Sequence, residues 1–353
     1  MAAYTTIDKP SDFFETKLWT GNGSSQDISL DFAPNWIWAK QRSSTRYHNL
    51  QDSIRGVGLQ LFANENSSDN ADTSNITAFN SDGYSLGDGD NVNKNSSTYV
   101  GWSWKAGTAF SNDASSTSVG SIDSVGSVST DAGFSIVSWT GTGTAGTIAH
   151  GLGKLPKMII AKQRNSTANW SVYFLDTSIA YNNVRNYLEL DTNIASTGDS
   201  GARWGAYGNY STTTFGVGTN ADTNADGSTY IAYAFSDIQG YSKIGKWKGN
   251  GSADGPFIHT GFRPAFVMYK NTSQTDDWFI SDNKRLGYNP NNNYLRPSLN
   301  NGDNATQRIN LFSNGFKLTT ADKGANESGD VYIYMAFAAA PFVTSTGIPT
   351  TAR

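Results

Sequence analysis

The sequence predicts an all-β fold: three tandem antiparallel β-sandwiches of jelly-roll or lectin-like type. Three observations predict it. Helix formers are scarce, with glutamate only at Glu15, Glu65, Glu189 and Glu327, while 36 glycines and 34 asparagines supply turns. Apolar stretches alternate with period two and are bounded by Asn/Asp/Gly/Ser clusters such as 87–97 and 289–293, the pattern of strands joined by hairpin loops. Those stretches also recur three times in the same order.

Four anchors define each repeat. The first is an aromatic strand end before a Gly-x-Gly turn: Trp19-Thr20-Gly21-Asn22-Gly23, Trp139-Thr140-Gly141-Thr142-Gly143 and Trp247-Lys248-Gly249-Asn250-Gly251. The second runs six residues from Pro to Lys: Pro34 to Lys40, Pro156 to Lys162 and Pro264 to Lys270. It is apolar on both faces, so it reads as a central strand, and its leading Pro suits a first strand position. Eight residues after the Lys stand His48, Trp170 and Trp278. The third anchor is Gly83-Tyr84, Thr214-Phe215 and Gly315-Phe316.

The fourth closes the repeat: Tyr99-Val100-Gly101-Trp102-Ser103-Trp104, Tyr230-Ile231-Ala232-Tyr233-Ala234-Phe235 and Tyr332-Ile333-Tyr334-Met335-Ala336-Phe337. Period two puts Val100, Trp102 and Trp104 on one face and small residues on the other, as in a sandwich strand. The boundaries follow as 1–106 for repeat one, 134–239 for repeat two, 240–343 for repeat three and 344–353 for a tail. The connector 107–133 is rich in Ser, Thr and Gly but spaces Val119, Ile122, Val125 and Val128 regularly. It reads equally as a flexible linker or a strand-bearing segment. Repeats two and three have no such gap and should pack closely.

Composition excludes several classes. Cysteine is absent, which removes disulfides, thiolate nucleophiles and Cys-ligated metals. The net charge is −4, giving no basic field for nucleic acid. The first residues carry no apolar signal core, and the longest apolar run, 331–343, is too short to cross a bilayer and contains Pro341. No phosphate loop or zinc-protease motif is present. His150 and His259 occupy one framework place and read as structural, and His48 belongs to no Ser-His-Asp order. The chain is therefore expected to be non-enzymatic.

Two sets of candidate site residues remain. Aromatics outside the anchors are the best ligand candidates: Trp204, Tyr207 and Tyr210 in one segment, Tyr288 and Tyr294 in another. Rings beside amides suit sugars, whose apolar faces stack and whose hydroxyls hydrogen-bond. The stretch Asp222-Thr223-Asn224-Ala225-Asp226-Gly227 matches the first half of a calcium loop, making Asp222, Asn224 and Asp226 candidate Ca²⁺ ligands. The closing acidic ligand is missing, since Tyr233 stands twelfth, and a polar hairpin loop explains the same residues. Lys243, Lys246 and Lys248 read as protection of a sheet edge.

The stretch from Gly133-Phe134-Ser135-Ile136-Val137 through Trp139-Thr140-Gly141-Thr142-Gly143, His150-Gly151-Leu152-Gly153, Pro156, Lys162-Gln163-Arg164 and Trp170 resembles a repeat found in virion proteins of tailed phages, especially marine ones. So do Tyr4-Thr5-Thr6-Ile7-Asp8-Lys9-Pro10, Asp52-Ser53-Ile54-Arg55-Gly56, Phe79-Asn80-Ser81-Asp82-Gly83-Tyr84 and Trp102-Ser103-Trp104-Lys105-Ala106-Gly107. The resemblance covers most of residues 1–240. Repeat three departs from it, with Lys270-Asn271-Thr272 in place of Lys-Gln-Arg and Thr260 between His259 and Gly261. It implies a virion structural protein with lectin or laminin-G-like sandwiches, commonly a tail fibre, and brings no catalytic residues. The expectation is a homo-oligomer, a trimer first, that contacts other virion proteins and a host surface glycan. A capsid decoration or head-fibre protein is the alternative, and a glycan depolymerase a third.

Overall fold

The structure is a computed structural model that describes residues 5–175, 185–206, 209–285 and 289–341. Repeat one contains β1 (Phe14–Thr20), β2 (Gln26–Ser29), β3 (Trp36–Gln41), β4 (Asn49–Asp52), β5 (Leu59–Phe62), β6 (Asn70–Ala71), β7 (Ile76–Asn80), β8 (Gly83–Leu86), the helical turn α1 (Asp90–Asn93) and β9 (Thr98–Trp104). The connector forms β10 (Thr108–Asn112), α2 (Ala114–Thr117) and β11 (Ser124–Ser129). Repeat two contains β12 (Phe134–Thr140), β13 (Gly146–Ala149), β14 (Met158–Gln163), β15 (Ser171–Phe174), β16 (Arg185–Glu189), β17 (Thr197–Asp199), β18 (Thr214–Val217), α3 (Ala221–Asn224) and β19 (Thr229–Phe235). Repeat three contains β20 (Ser242–Lys248), β21 (Phe257–His259), β22 (Phe262–Asn271), β23 (Trp278–Asp282), β24 (Asn291–Tyr294), β25 (Asn304–Phe312), β26 (Gly315–Leu318) and β27 (Val331–Pro341).

All three repeats have one plan. The first, closing, second-anchor and following strands form a large antiparallel sheet: β1-β9-β3-β4, β12-β19-β14-β15 and β20-β27-β22-β23. A smaller sheet built on β8, β18 or β26 covers one face. The connector departs from the plan, because β11 adds to the outer edge of β12 and β10 adds to β11. It is strand-bearing, as its regular apolar spacing suggests.

Each sandwich is held by the same aromatic cluster. The first-anchor Trp stacks on the Tyr of the closing strand: Trp19 on Tyr99, Trp139 on Tyr230 and Trp247 on Tyr332, with centroids 5.5, 5.1 and 5.0 Å apart. Its indole N–H donates to a carbonyl of the polar loop before that strand, at Val92, Thr223 and Ala325. A third ring, Tyr84, Phe215 or Phe316, meets the Trp edge-on. Gly101 is small for a reason visible here: a Cβ would lie 2.5 Å from the Tyr84 hydroxyl and 2.9 Å from the Trp19 ring.

The bulky face of each closing strand packs elsewhere than expected. Val100, Trp102 and Trp104 do not face the small sheet of their own repeat. They join Ile231, Tyr233 and Phe235 and Ile333, Met335 and Phe337 in one core shared by all three repeats. Three satellite cores lie between each large sheet and its small partner. The alternation therefore separates two cores, which is why the second-anchor strands are buried on both faces. Repeats two and three do pack together, and so does each with repeat one.

The repeats close a ring through three matching seams. The main-chain amides of Asp69, Ser196 and Asp303 donate to the carbonyls of Arg164, Thr272 and Arg42, linking repeat one to two, two to three and three to one at 2.7, 2.9 and 2.8 Å. Ala168, Asp276 and Arg46 donate in the same way to Asn66, Asn193 and Asn300. Trp170 of repeat two donates from its indole to the Phe62 carbonyl of repeat one, and Trp278 of repeat three to the Glu189 carbonyl of repeat two. In repeat one the equivalent residue is His48, whose Nδ1 accepts from the Trp38 indole.

Two seams carry ion pairs and, among the described residues, the third carries none in the equivalent place. Asp69 bridges Arg55 of its own repeat and Arg164 of repeat two, and Asp303 bridges Arg285 and Arg42. At the seam between repeats two and three, Ser196 and Thr272 stand where those Asp and Arg residues would be. This explains the departure of Lys270-Asn271-Thr272 from Lys-Gln-Arg: the facing carboxylate is missing too, so an arginine at this half-buried position would lack its partner.

Candidate functional site

Trp204 and Tyr294 are corrected from ligand candidates to core residues. Trp204 is fully buried in the satellite core of repeat two. The Asp199 carboxylate folds it inward by accepting the amides of Arg203 and Trp204 at 2.9 and 2.7 Å. Tyr210 is half-buried, stacks on Tyr173 at 4.3 Å and donates its hydroxyl to the Trp204 carbonyl. Tyr294 is buried, with its edge against Phe279 and the Arg308 guanidinium over its face. Tyr207 and Tyr288 lie outside the described residues.

The candidate Ca²⁺ ligands Asp222, Asn224 and Asp226 stand in three different settings. Asn224 is fully buried. Its Oδ1 accepts the Thr142 amide at 2.9 Å, and its Nδ2 donates to the carbonyls of Thr144 and Gly218, both at 2.7 Å. Asn93 and Asn326 do the same in the other repeats, accepting from Asn22 and Asn250. This asparagine clamps the Gly-x-Gly turn of the first anchor. Asp222 pairs with Arg203 at 2.5 Å, and Asp226 points to solvent. Among the described residues, no group of three or more His, Cys, Asp or Glu side chains is arranged to hold a metal.

The histidines differ from one another. His150 is buried, and desolvation pushes its ring down to about 4, so it is neutral and accepts the Leu152 amide. His259 is exposed on β21. His48 is fully buried at the seam facing repeat three, where burial and the nearby Lys40 charge push it well below 6.5.

The lysine that ends the second anchor is fully buried in all three repeats. Lys40, Lys162 and Lys270 donate to the carbonyls of Gln41, Gln163 and Asn271, and Lys162 also crosses the seam to the Asn66 carbonyl. Desolvation lowers them to about 7, 8 and 8 respectively. Asp191 shifts the other way, raised to about 7 by desolvation; it accepts the Trp170 amide where repeat one uses the neutral Asn64 on His48.

A groove of about 620 Å³ opens beside the connector, lined by β10, β11 and the end of β12, with Ser111, Asp123, Val125, Ser138 and Thr140 on its surface. Sequence reasoning did not single it out. The signal was the apolar spacing of the connector, which marks β11 but not the space that an added strand encloses.

The chain belongs to the family described as "Domain of unknown function (DUF7483)", whose model matches residues 9–341. The matched span runs from the turn before β1 to the end of β27 and takes in the whole ring. No curated protein and no solved structure matches the chain.

Proposed function

We propose that this chain is a non-enzymatic structural protein of a tailed-phage virion, serving as a tail fibre or tail-appendage adhesin that contacts a host surface glycan. The observation that carries the reading is the ring itself. Its recurring Asp, Arg, Trp and Asn side chains serve to clamp turns and seams, an economy suited to a rigid scaffold. The resemblance to virion repeats supplies the setting. One chain already closes three equivalent seams, so further copies in a homo-oligomer would meet through other surfaces.

Cryo-electron microscopy of the intact particle tests the reading. Density at the tail, in a low multiple of three or six copies, is expected. Density spread over the head in tens to hundreds of copies would overturn the adhesin and favour a capsid decoration. Absence from the particle would overturn both.

A further inference from the structure

Repeat two differs from the other repeats at one edge. β1 and β20 end their sheets, whereas the equivalent β12 carries β11 and β10. The groove of about 620 Å³ lies on this addition, within the range typical of small-ligand sites. The threefold framework does not require it.

Its surface is ordered by sheet register. Ser111, Val125 and Ser138 lie directly opposite one another on three adjacent strands, and Thr140 lies opposite Thr229. Val125 is 48% exposed, an apolar side chain presented to solvent in a polar setting. Asp123 is exposed, with one carboxylate oxygen accepting the Ala114 amide and the other directed to no protein donor. Among the described residues, the hydroxyls of Ser111, Thr140 and Thr229 make no side-chain hydrogen bond. The lining contains two carboxylates, Asp113 and Asp123, and no basic residue.

We propose that this groove binds a neutral oligosaccharide. A pyranose offers an apolar C–H face for Val125 and a rim of hydroxyls for the Asp123 carboxylate and the neighbouring Ser and Thr side chains. The two carboxylates disfavour sialylated and uronic-acid sugars through like-charge repulsion. The inference rests on the adhesin reading and names its binding surface.

The test is a printed array of neutral and acidic glycans probed with the full chain and three variants. Val125→Glu puts a charge on the apolar contact at an exposed position. Asp123→Asn removes the carboxylate but keeps the oxygen that accepts the Ala114 amide. Asp226→Asn changes an exposed loop outside the groove. The parent chain is expected to bind neutral and not acidic glycans. Val125→Glu should weaken binding at least tenfold, Asp123→Asn several-fold and Asp226→Asn not at all. An array without binding, or binding that Val125→Glu leaves unchanged, overturns the groove. Particle localisation separates the two ideas. A chain present at the tail but silent on the array loses the groove and the glycan contact and keeps the virion reading, and one that binds glycan but is absent from the particle loses only the virion reading.

Discussion

The phenol of Tyr233 in repeat two donates a hydrogen bond to the Asp52 carboxylate of repeat one at 2.8 Å, in the centre of the shared core. Asp52 is also held by Arg55 at 2.6 Å, and both side chains are fully buried. The same relation joins Trp102 of repeat one to Asp282 of repeat three at 3.1 Å, with Arg285 in the role of Arg55. In the third direction the equivalent pair is Phe174 and Met335, two apolar side chains of the same core. Donor and acceptor are replaced together, which avoids burying either alone.

The two halves of such a pair should differ in cost. Tyr233→Phe loses one hydrogen bond to a charged group and is expected to destabilise by about 1–3 kcal/mol. Asp52→Ala leaves the Arg55 guanidinium buried without its main partner and should cost about 3–5 kcal/mol. Urea denaturation followed by tryptophan fluorescence measures both. Equal effects would show that the carboxylate does not organise the seam.

Asn224 should behave as a clamp and not as a calcium ligand. Replacing it with Ala removes three hydrogen bonds of a buried side chain, a loss of about 2–4 kcal/mol. Asn93→Ala and Asn326→Ala should cost a similar amount, because the geometry repeats. Millimolar Ca²⁺ should leave the parent melting temperature unchanged. A rise of several degrees with Ca²⁺, abolished by Asn224→Ala, would restore the metal reading.

The buried lysines predict a particular pH dependence. Lys40, Lys162 and Lys270 titrate at about 7, 8 and 8 in the folded chain, against 10.5 when exposed. Folding therefore favours the neutral amine. This contribution is fully present above pH 10.5 and is lost as pH falls toward 8 and 7. The parent melting temperature should include a rising component between pH 8 and 10.5, and Lys162→Met should flatten it. An unchanged slope in that variant would mean that the ammonium is solvated in the fold.

Asp191 gives a component of opposite sign. Its carboxyl is raised from 3.8 to about 7, so the protonated form suits the fold. Stability from this group is present below pH 4 and is lost as pH rises to 7. Asp191→Asn copies the amide that Asn64 provides in repeat one and should raise the melting temperature at pH 8 more than at pH 4. A destabilised variant at pH 8 would show that the charge is needed.

Much of the framework was legible in the sequence because it depends on local spacing. Trp19, Tyr84 and Tyr99 form one cluster, and their order recurs with Trp139, Phe215 and Tyr230, the last two 15 residues apart in both repeats. The shared core was not legible, since the alternation of Val100, Trp102 and Trp104 is the same whether that face meets its own small sheet or two other repeats. The Asp52–Tyr233 contact spans 181 residues and leaves no local trace. Trp204 misled for a related reason: it stands outside the anchors, yet Asp199 and Arg203 fold its irregular segment into the core. Thr272 was visible as a departure, but its meaning depends on Ser196 across the seam.

The central structural claim is that one chain closes on itself between repeats three and one. The Asp303 amide and the Arg42 carbonyl are 2.8 Å apart, which holds the two Cα atoms within about 6.7 Å and inside disulfide reach. The chain has no cysteine of its own, so the double variant Arg42→Cys, Asp303→Cys carries one unambiguous pair. Oxidation followed by mass spectrometry of the monomer should show a single intramolecular disulfide and no dimer. Free thiols after oxidation, or crosslinks only between chains, would contradict the closed ring.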